Sequence, residues 1–294
     1  MQLPKVSIVT ITYNHENYIL EALNSFLAQK YEGPIEVIIA NDNSPDNTHK
    51  AISDFLVTTD IPSNFEIKYT NHEVNKGMME NFIWSLQQAT GEYIAFCEGD
   101  DYWIDELKLQ KQVDFLENNL QYGFVSSNYK IMKNDDITDR IIDVPNDIIT
   151  KEIFLKYWVF QLFTVLIRKS DIDFNKLKKI SIINDTTFGY MLVTSKNGFY
   201  FNDFFGVYRH HTGGVYSMIN DSNKLKHVFY TYRALKKDFP SNKNIRKQYF
   251  NSIYNILEKN INIDFPKYIL YVNLFFNITK MIDFKKSIKI LIKK

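Results

Sequence analysis

The sequence predicts an α/β protein: a mostly parallel central sheet with helices on both faces, followed by a basic, mainly helical C-terminal extension. Three observations carry this expectation. Short β-branched apolar runs alternate with stretches of helical period through the first hundred residues, and crossovers of that length join parallel strands. Polar clusters stand at the ends of those runs, where ligands sit in such sheets. The charge also changes sign late: residues 222–294 hold 16 Lys+Arg against 4 Asp+Glu, whereas residues 1–221 hold 19 against 30. A split of that size places a boundary near residue 220, between a domain of residues 1–220 and an extension of residues 221–294.

Val6–Thr12 is a β-branched apolar run that reads as a central strand, and Tyr13-Asn14-His15-Glu16-Asn17 is a polar turn. Ile19, Leu23, Phe26 and Leu27 fall at i, i+4, i+7 and i+8, one apolar helix face that Gly33-Pro34 ends. Residues 35–40 give a second strand, 41–48 a loop dense in turn formers and caps, and 48–57 a second helix. A strand over 65–69, a helix over 78–89 and a strand over 93–97 repeat the alternation. Leu109, Val113 and Leu116 place a helix over 105–118, and 122–132 reads as another strand. Residues 133–149 are polar, carry five aspartates and read as a surface excursion or a lid. Beyond them, 150–158 and 185–194 look helical, while 163–168 and 199–208 look like strands. After residue 220 the pattern is helical, and residues 268–294 read as one or two amphipathic pieces.

Composition narrows the function classes. A hydrophobic content of 45% in 294 residues supports a substantial core. Cys97 is the only cysteine, which excludes an internal disulfide and suits a reducing compartment. Neighbouring carboxylates suppress its thiolate, so it reads as a buried strand residue. No run of about 18 apolar residues and no signal-like N-terminal segment occurs, so the expectation is a cytoplasmic protein. Lys285, Lys286, Lys289, Lys293 and Lys294 interleave with Ile288, Ile290, Leu291 and Ile292. That mixture suits either a solvated helix end or peripheral contact with anionic lipid at the inner face of the cell membrane. Nucleic acid is not expected, because no reading module accompanies the charge. NAD chemistry is disfavoured by the missing G-x-G-x-x-G turn after the first strand. His15, His49, His72 and His227 lie apart, without zinc-ligand spacing, and read as surface residues.

The most informative stretch is the fourth strand, which runs straight into Glu98-Gly99-Asp100-Asp101. Three carboxylates within four residues repel one another. At the mouth of a sheet the usual relief is a hard divalent ion held by one or two of them together with phosphate oxygens. An acidic turn capping the next helix is the plainer alternative. Thr12-Tyr13, Asp42 and this turn all stand at the carboxyl ends of strands, so three polar clusters converge on one edge.

Thr12-Tyr13-Asn14, Asp42-Asn43-Ser44, Asn75-Lys76-Gly77 and Glu98-Gly99-Asp100-Asp101, in this order and spacing, resemble family 2 glycosyltransferases of the GT-A fold. Asn184-Asp185-Thr186 is similar to the acidic residue that opens the acceptor-side helix, and residues 208–215 to the segment that closes the site. The resemblance covers roughly residues 4–217, and linked motifs are more specific than any one alone. It implies inverting transfer of a sugar from a nucleoside diphosphate sugar to a hydroxyl, with Mg²⁺ or Mn²⁺. Carried over residue by residue, Thr12 and Tyr13 line the nucleobase and ribose pocket, Asp42 accepts hydrogen bonds from the base, and Lys76 borders the pocket or offsets diphosphate charge. Asp100 ligates the metal. Glu98 replaces the more usual aspartate and reaches the ribose or the ion. Asp101 holds a metal-bound water or caps the following helix. Asp185 is the general base, against the plain reading of a helix N-cap. His211 contacts the metal or the diphosphate, beside Arg209. Tyr102 and Trp103 stack on a sugar or pack beneath the site.

The expected setting is bacterial surface polysaccharide synthesis, with a UDP-sugar favoured as donor and a glycan or lipid-linked oligosaccharide as acceptor. A catalytically inert nucleotide- or glycan-binding module would keep the same motifs without turnover. A nucleotidyltransferase would need a glycine-rich, basic opening loop that this chain lacks.

Overall fold

The computed structural model describes residues 3–180, 182–214, 220–267 and 269–271. The amphipathic reading of 268–294, with its lysine-rich end, therefore lies almost entirely outside the described residues. Contacts group the chain into two compact units, Met1–Leu177 with Phe188–Gly214 and Lys178–Thr187 with Val215–Lys294.

The first unit begins with the predicted alternation: β1 (Val6–Thr12), α1 (Ile19–Leu27), β2 (Ile35–Asn41), α2 (Thr48–Thr58), β3 (Phe65–Asn71), α3 (Met78–Gln88) and β4 (Tyr93–Phe96). These four strands pair in the order β3-β2-β1-β4, all parallel and in register. Every residue of β2 is buried, Glu36 included, which is why its other residues through Ala40 are apolar without alternation. α1 turns Ile19, Ala22, Leu23 and Phe26 into the core against them. A two-residue strand β5 (Tyr102–Trp103) follows, then α4 (Lys108–Asn118) and β6 (Tyr122–Lys133).

Beyond β4 the sheet becomes mixed. Residues 133–149, expected as an excursion or a lid, carry β7 (Asp136–Arg140) and β8 (Ile148–Ile149). β7 folds back on β6 through Asn134 (φ 49°) and Asp135 (φ 67°), left-handed conformations that suit a two-residue hairpin turn. Its sequence hid it because all five of its residues are exposed, leaving no apolar alternation to read. Next come α5 (Lys151–Lys156), β9 (Leu166–Arg168), α6 (Phe174–Leu177), α7 (Asp185–Ser195) and β10 (Asn197–His210). The strand order continues β4-β9-β6-β10-β5, with β9 antiparallel to both neighbours and β6 parallel to β10.

In the second unit α8 (Asp221–Asp238) and α9 (Lys243–Glu258) pack together around Phe229, Tyr249, Phe250, Ile253 and Ile256. Asn220 and Asn242 cap them by accepting from Asn223 N and Ile245 N. Among the described residues no helix is long and apolar enough to cross a membrane.

Candidate functional site

Because β1, β2 and β4 run parallel and in register, their carboxyl ends open on the same edge. Thr12 lies opposite Asn41, and the Thr12 carbonyl accepts from Asp42 N at 3.0 Å. The acidic turn leaves β4 beside them, with Gly99 N donating to Ile11 O at 3.0 Å. A Cβ on residue 99 would stand 2.6 Å from Thr12 Oγ1, so only glycine lets the turn come this close to β1.

At this edge Asp100 faces two imidazoles. Its Oδ2 lies 3.1 Å from His211 Nε2 and 3.5 Å from His15 Nε2. The ligand atoms of the three residues all lie within 4.8 Å of one another. Burial opposes ionisation of Asp100, but the hydrogen bond from His211 and the nearby imidazoles outweigh it and hold its carboxyl below the usual range. Its neighbour Asp101 goes the other way. Burial, with the charges of Asp100 and Glu98 added, pushes its carboxyl well up, although it accepts from Arg209 N at 2.8 Å. Burial then these same acidic neighbours also raise the Cys97 thiol, in keeping with a buried, unreactive strand residue.

His15 is the functional candidate that sequence reading missed. It was expected on the surface, yet its side chain is only 13% exposed, in the turn where Asn14 adopts a left-handed φ of 63°. His15 N donates to Thr48 Oγ1 at 2.9 Å, and His15 Nδ1 lies 3.2 Å from Thr12 Oγ1. Burial lowers its pKa, which favours the neutral ring. An Asn-His pair one residue beyond the end of a strand is the signal that was available. Two more of the expected surface histidines are also covered: His72 Nε2 meets Asn81 Oδ1 at 3.0 Å, and His227 Nε2 meets Asn184 Nδ2 at 3.1 Å. Of that set only His49 is exposed.

Arg209 ties the edge together. Its backbone N–H holds Asp101, its guanidinium donates to the Asp100 carbonyl at 2.6 Å and to Glu21, and it stacks between Tyr18 and Tyr102, each 4.9 Å away. Asp101 is thus a brace to β10, and the start of α4 is served by Asp105, which accepts from Leu107 N at 2.8 Å. Trp103 is buried, with Nε1 donating to Phe163 O at 2.8 Å, so it packs beneath the edge and presents no face to a sugar.

The remaining predicted residues lie in the neighbouring loops. Asp42 is buried, with Oδ1 accepting from Lys76 N at 2.7 Å and Oδ2 from Gly77 N at 2.9 Å, so it shapes the 75–77 loop. Gly77, at φ 83°, gives that loop a turn other residues resist. The Lys76 side chain is exposed, and Tyr13 is 46% exposed at the end of β1, an aromatic left open to a planar ligand. Glu98 sits in the acidic turn, half-buried.

Asp185 belongs to the second unit, as the first residue of α7. The N-cap there is Asn184, whose Oδ1 accepts from Thr187 N at 3.0 Å and whose Nδ2 donates to Thr231 Oγ1 at 2.8 Å. The plain reading of Asp185 as the cap is therefore taken by its neighbour.

One carboxylate and two imidazoles make a donor set suited to a divalent cation, and the parallel edge beside them is where nucleotides bind in α/β sheets. The sequence model described as glycosyl transferase family 2 matches residues 7–191. An uncharacterized protein of Mycobacterium tuberculosis (strain ATCC 25618 / H37Rv) is 47% identical over 114 residues, 39% of this chain and 32% of its own length. The UDP-Glc:alpha-D-GlcNAc-diphosphoundecaprenol beta-1,3-glucosyltransferase WfgD of Escherichia coli is 33% identical over 138 residues, 47% of this chain and 50% of its own length. The chain thus spans a third to a half of the length of these curated relatives. Staphylococcus aureus TarS 1-349, solved with UDP-GlcNAc, shares the fold at 18% identity and TM-score 0.58, over 94% of this chain and 72% of that one. The mannosyltransferase PcManGT of Pyrobaculum calidifontis, solved with GDP-Man and Mn²⁺, does so at 15% identity and TM-score 0.57, over 99% and 79%.

Proposed function

Since this chain belongs to glycosyl transferase family 2, we propose that it is an inverting, metal-dependent enzyme that moves a hexosyl group from a nucleoside diphosphate sugar to a hydroxyl. The acceptor is a glycan or lipid-linked oligosaccharide of a bacterial surface polysaccharide, reached with the basic extension resting on anionic lipid. The observation that carries the reading is Asp100, placed at the carboxyl edge of parallel strands with two imidazoles against one of its oxygens. Named relatives and fold neighbours that use UDP-Glc, UDP-GlcNAc or GDP-Man support the donor class.

Asp100 and His211 would hold a Mg²⁺ or Mn²⁺ ion, which when bound supplies positive charge to the departing diphosphate. The other steps fall to the chain itself. Thr12, Tyr13, Asp42 and the 75–77 loop flank the nucleoside, with Lys76 free to swing toward the diphosphate. Glu98 and Asp101 keep the acidic turn in place beside the donor. Asp185 takes the proton of the acceptor hydroxyl as its oxygen bonds to the anomeric carbon. The bond from that carbon to the diphosphate oxygen breaks, and the nucleoside diphosphate leaves with the electron pair. Attack from the opposite face inverts the anomeric configuration.

Incubating the full chain and Mn²⁺ with a panel of UDP-, GDP-, CDP- and dTDP-sugars tests this. Hydrolysis or transfer from at least one donor is expected, with UDP giving the largest thermal shift among the free nucleotides. Asp185→Asn should cut turnover about 10²- to 10⁴-fold and leave the nucleotide shift intact. No turnover from any donor overturns the proposal. Loss of nucleotide binding together with turnover would reduce Asp185 to a structural role.

A further inference from the structure

Resting on the reading of this edge as a cation site, we propose that His15 is itself a ligand of the cation, positioned by Thr12. The resulting set of imidazole nitrogens with one carboxylate then selects a first-row transition ion such as Mn²⁺ over Mg²⁺.

The argument lies in what each ring's far nitrogen touches. Both rings present Nε2 to the same Asp100 oxygen, at 3.1 Å from His211 and 3.5 Å from His15. Behind His211, the Gly213 N–H donates to Nδ1 at 3.1 Å. A backbone amide only donates, so it fixes Nδ1 as the acceptor and leaves the ring proton on Nε2, aimed at Asp100. Ligation through His211 Nε2 requires the proton to move to Nδ1 and the Gly213 hydrogen bond to break.

Behind His15 stands the Thr12 hydroxyl, 3.2 Å from Nδ1. A hydroxyl donates or accepts by rotating about its own bond. His15 can therefore carry its proton on Nε2, toward Asp100, with Thr12 donating to Nδ1. It can equally carry it on Nδ1, with Thr12 accepting and the Nε2 lone pair turned to a cation. The Thr12–His15 hydrogen bond survives the exchange, and only the Nε2–H contact toward Asp100 is given up. Thr12 is buried, and its hydroxyl lies toward the acidic turn, where a Cβ on residue 99 would stand 2.6 Å from it. This gives Thr12 a positioning role distinct from lining a nucleobase pocket. Imidazole donors suit first-row transition ions, Mn²⁺ the most weakly among them, whereas Mg²⁺ holds to oxygen ligands and keeps its waters.

The test is Mn²⁺ binding to the full chain, read from loss of the free-ion electron paramagnetic resonance signal, with no sugar donor present. His15→Ala should weaken binding at least tenfold, and Thr12→Val by about ten- to a hundredfold, the range for an outer-shell partner. Thr12→Ser, which keeps the hydroxyl, should restore affinity. Mg²⁺ should displace Mn²⁺ from the wild-type chain only in large excess, with a smaller preference in His15→Ala. Circular dichroism and thermal unfolding establish that each variant is folded, and Thr12→Val serves if His15→Ala is not. Wild-type affinity in both variants, equal competition by Mg²⁺, or no Mn²⁺ binding by the wild-type chain alone and with UDP would overturn the proposal. Donor hydrolysis, measured separately, keeps the two readings apart. Mn²⁺ binding that depends on His15 without turnover of any donor sinks the enzymatic reading alone, and turnover with His15-independent Mn²⁺ binding sinks this one alone.

Discussion

The two ends of one parallel sheet treat buried acids in opposite ways. At the amino end, Glu36 on β2 has a side chain with 0% exposure. It accepts from Ser7, from Thr90 N and Oγ1, and from Gly91 N, and pairs with Lys68 at 2.7 Å and Lys5 at 3.1 Å. Burial disfavours its charge, but these partners overwhelm that effect and hold its carboxyl far below the ordinary value. At the carboxyl end, Asp100 and Asp101 stand side by side, and Asp101 is pushed up by burial and by its acidic neighbours. The chain thus completes the coordination of Glu36, whereas at the other end Asp101 is tied to Arg209 N and Asp100 is left facing two imidazoles. A buried acid saturated by its own chain belongs to the fold; an acid set against two imidazoles and beside a second carboxylate is arranged for charge from outside.

Substitutions at the two ends should therefore fail in opposite ways. Asp100→Asn is expected to lower sugar transfer about 10²- to 10³-fold, the range for removing an electrostatic contact to a developing charge. Its thermal unfolding should change little, because the His211 hydrogen bond that holds its carboxyl down is lost while the charge beside Asp101 is removed. Glu36→Gln should do the reverse, costing about 3–5 kcal/mol by stranding buried donors and two lysines while folded molecules keep their activity. Urea unfolding beside a donor assay reads both. Acid sharpens the contrast. Since the folded Glu36 value is lowered, its stabilisation is present above the unfolded value of about 4.3 and drains away below it. The stability gap between wild type and Glu36→Gln should then close by about 1.4 kcal/mol per pH unit as pH falls below about 4.3. A gap that stays constant into acid would mean that Glu36 acts through packing and not through charge.

That asymmetry was only half visible in the sequence. The parallel strands and the acidic turn were legible because β-branched runs and clustered carboxylates are local signals. Residues 133–149 were not, since β7 has no apolar face and is held by pairing with β6 and by the Lys130–Asp139 contact at 2.9 Å. Trp103 was ambiguous until its indole was seen to donate to Phe163 O, sixty residues away in sequence. Asp185, read as the general base, kept a plain alternative as a cap because Asp favours that place, and the bond from Thr187 N to Asn184 Oδ1 gives the cap to its neighbour. His15 and Glu36 were missed for one shared reason. Each is polar within a strand or turn, and what makes it matter arrives from segments thirty or more residues distant, which periodicity does not register.

A third buried charge offers the finest test of the comparison. Lys108 opens α4 beneath the acidic edge, fully buried, with Nζ donating to Gln112 Oε1 at 2.8 Å and lying 4.2 Å over the Trp103 ring. If it were a counter-ion for the acidic turn, as Lys68 is for Glu36, removing it would cost stability. Its hydrogen bond goes instead to a neutral amide, and burial lowers its pKa from 10.5 to about 7. A base depressed in the folded state makes the unfolded chain the stronger proton binder between those values, so stability rises with pH across that window. Lys108→Met, similar in volume and uncharged, should therefore gain about 1–3 kcal/mol at pH 6.5, the range for replacing a buried charge with an apolar side chain. The gain should shrink as pH rises from about 7 toward 10.5. Denaturant unfolding of both proteins across that range measures it. A loss of stability in Lys108→Met at pH 6.5 would mean that the ammonium compensates Asp100 and Asp101 through space, and that the carboxyl end of the sheet carries its own internal counter-charge after all.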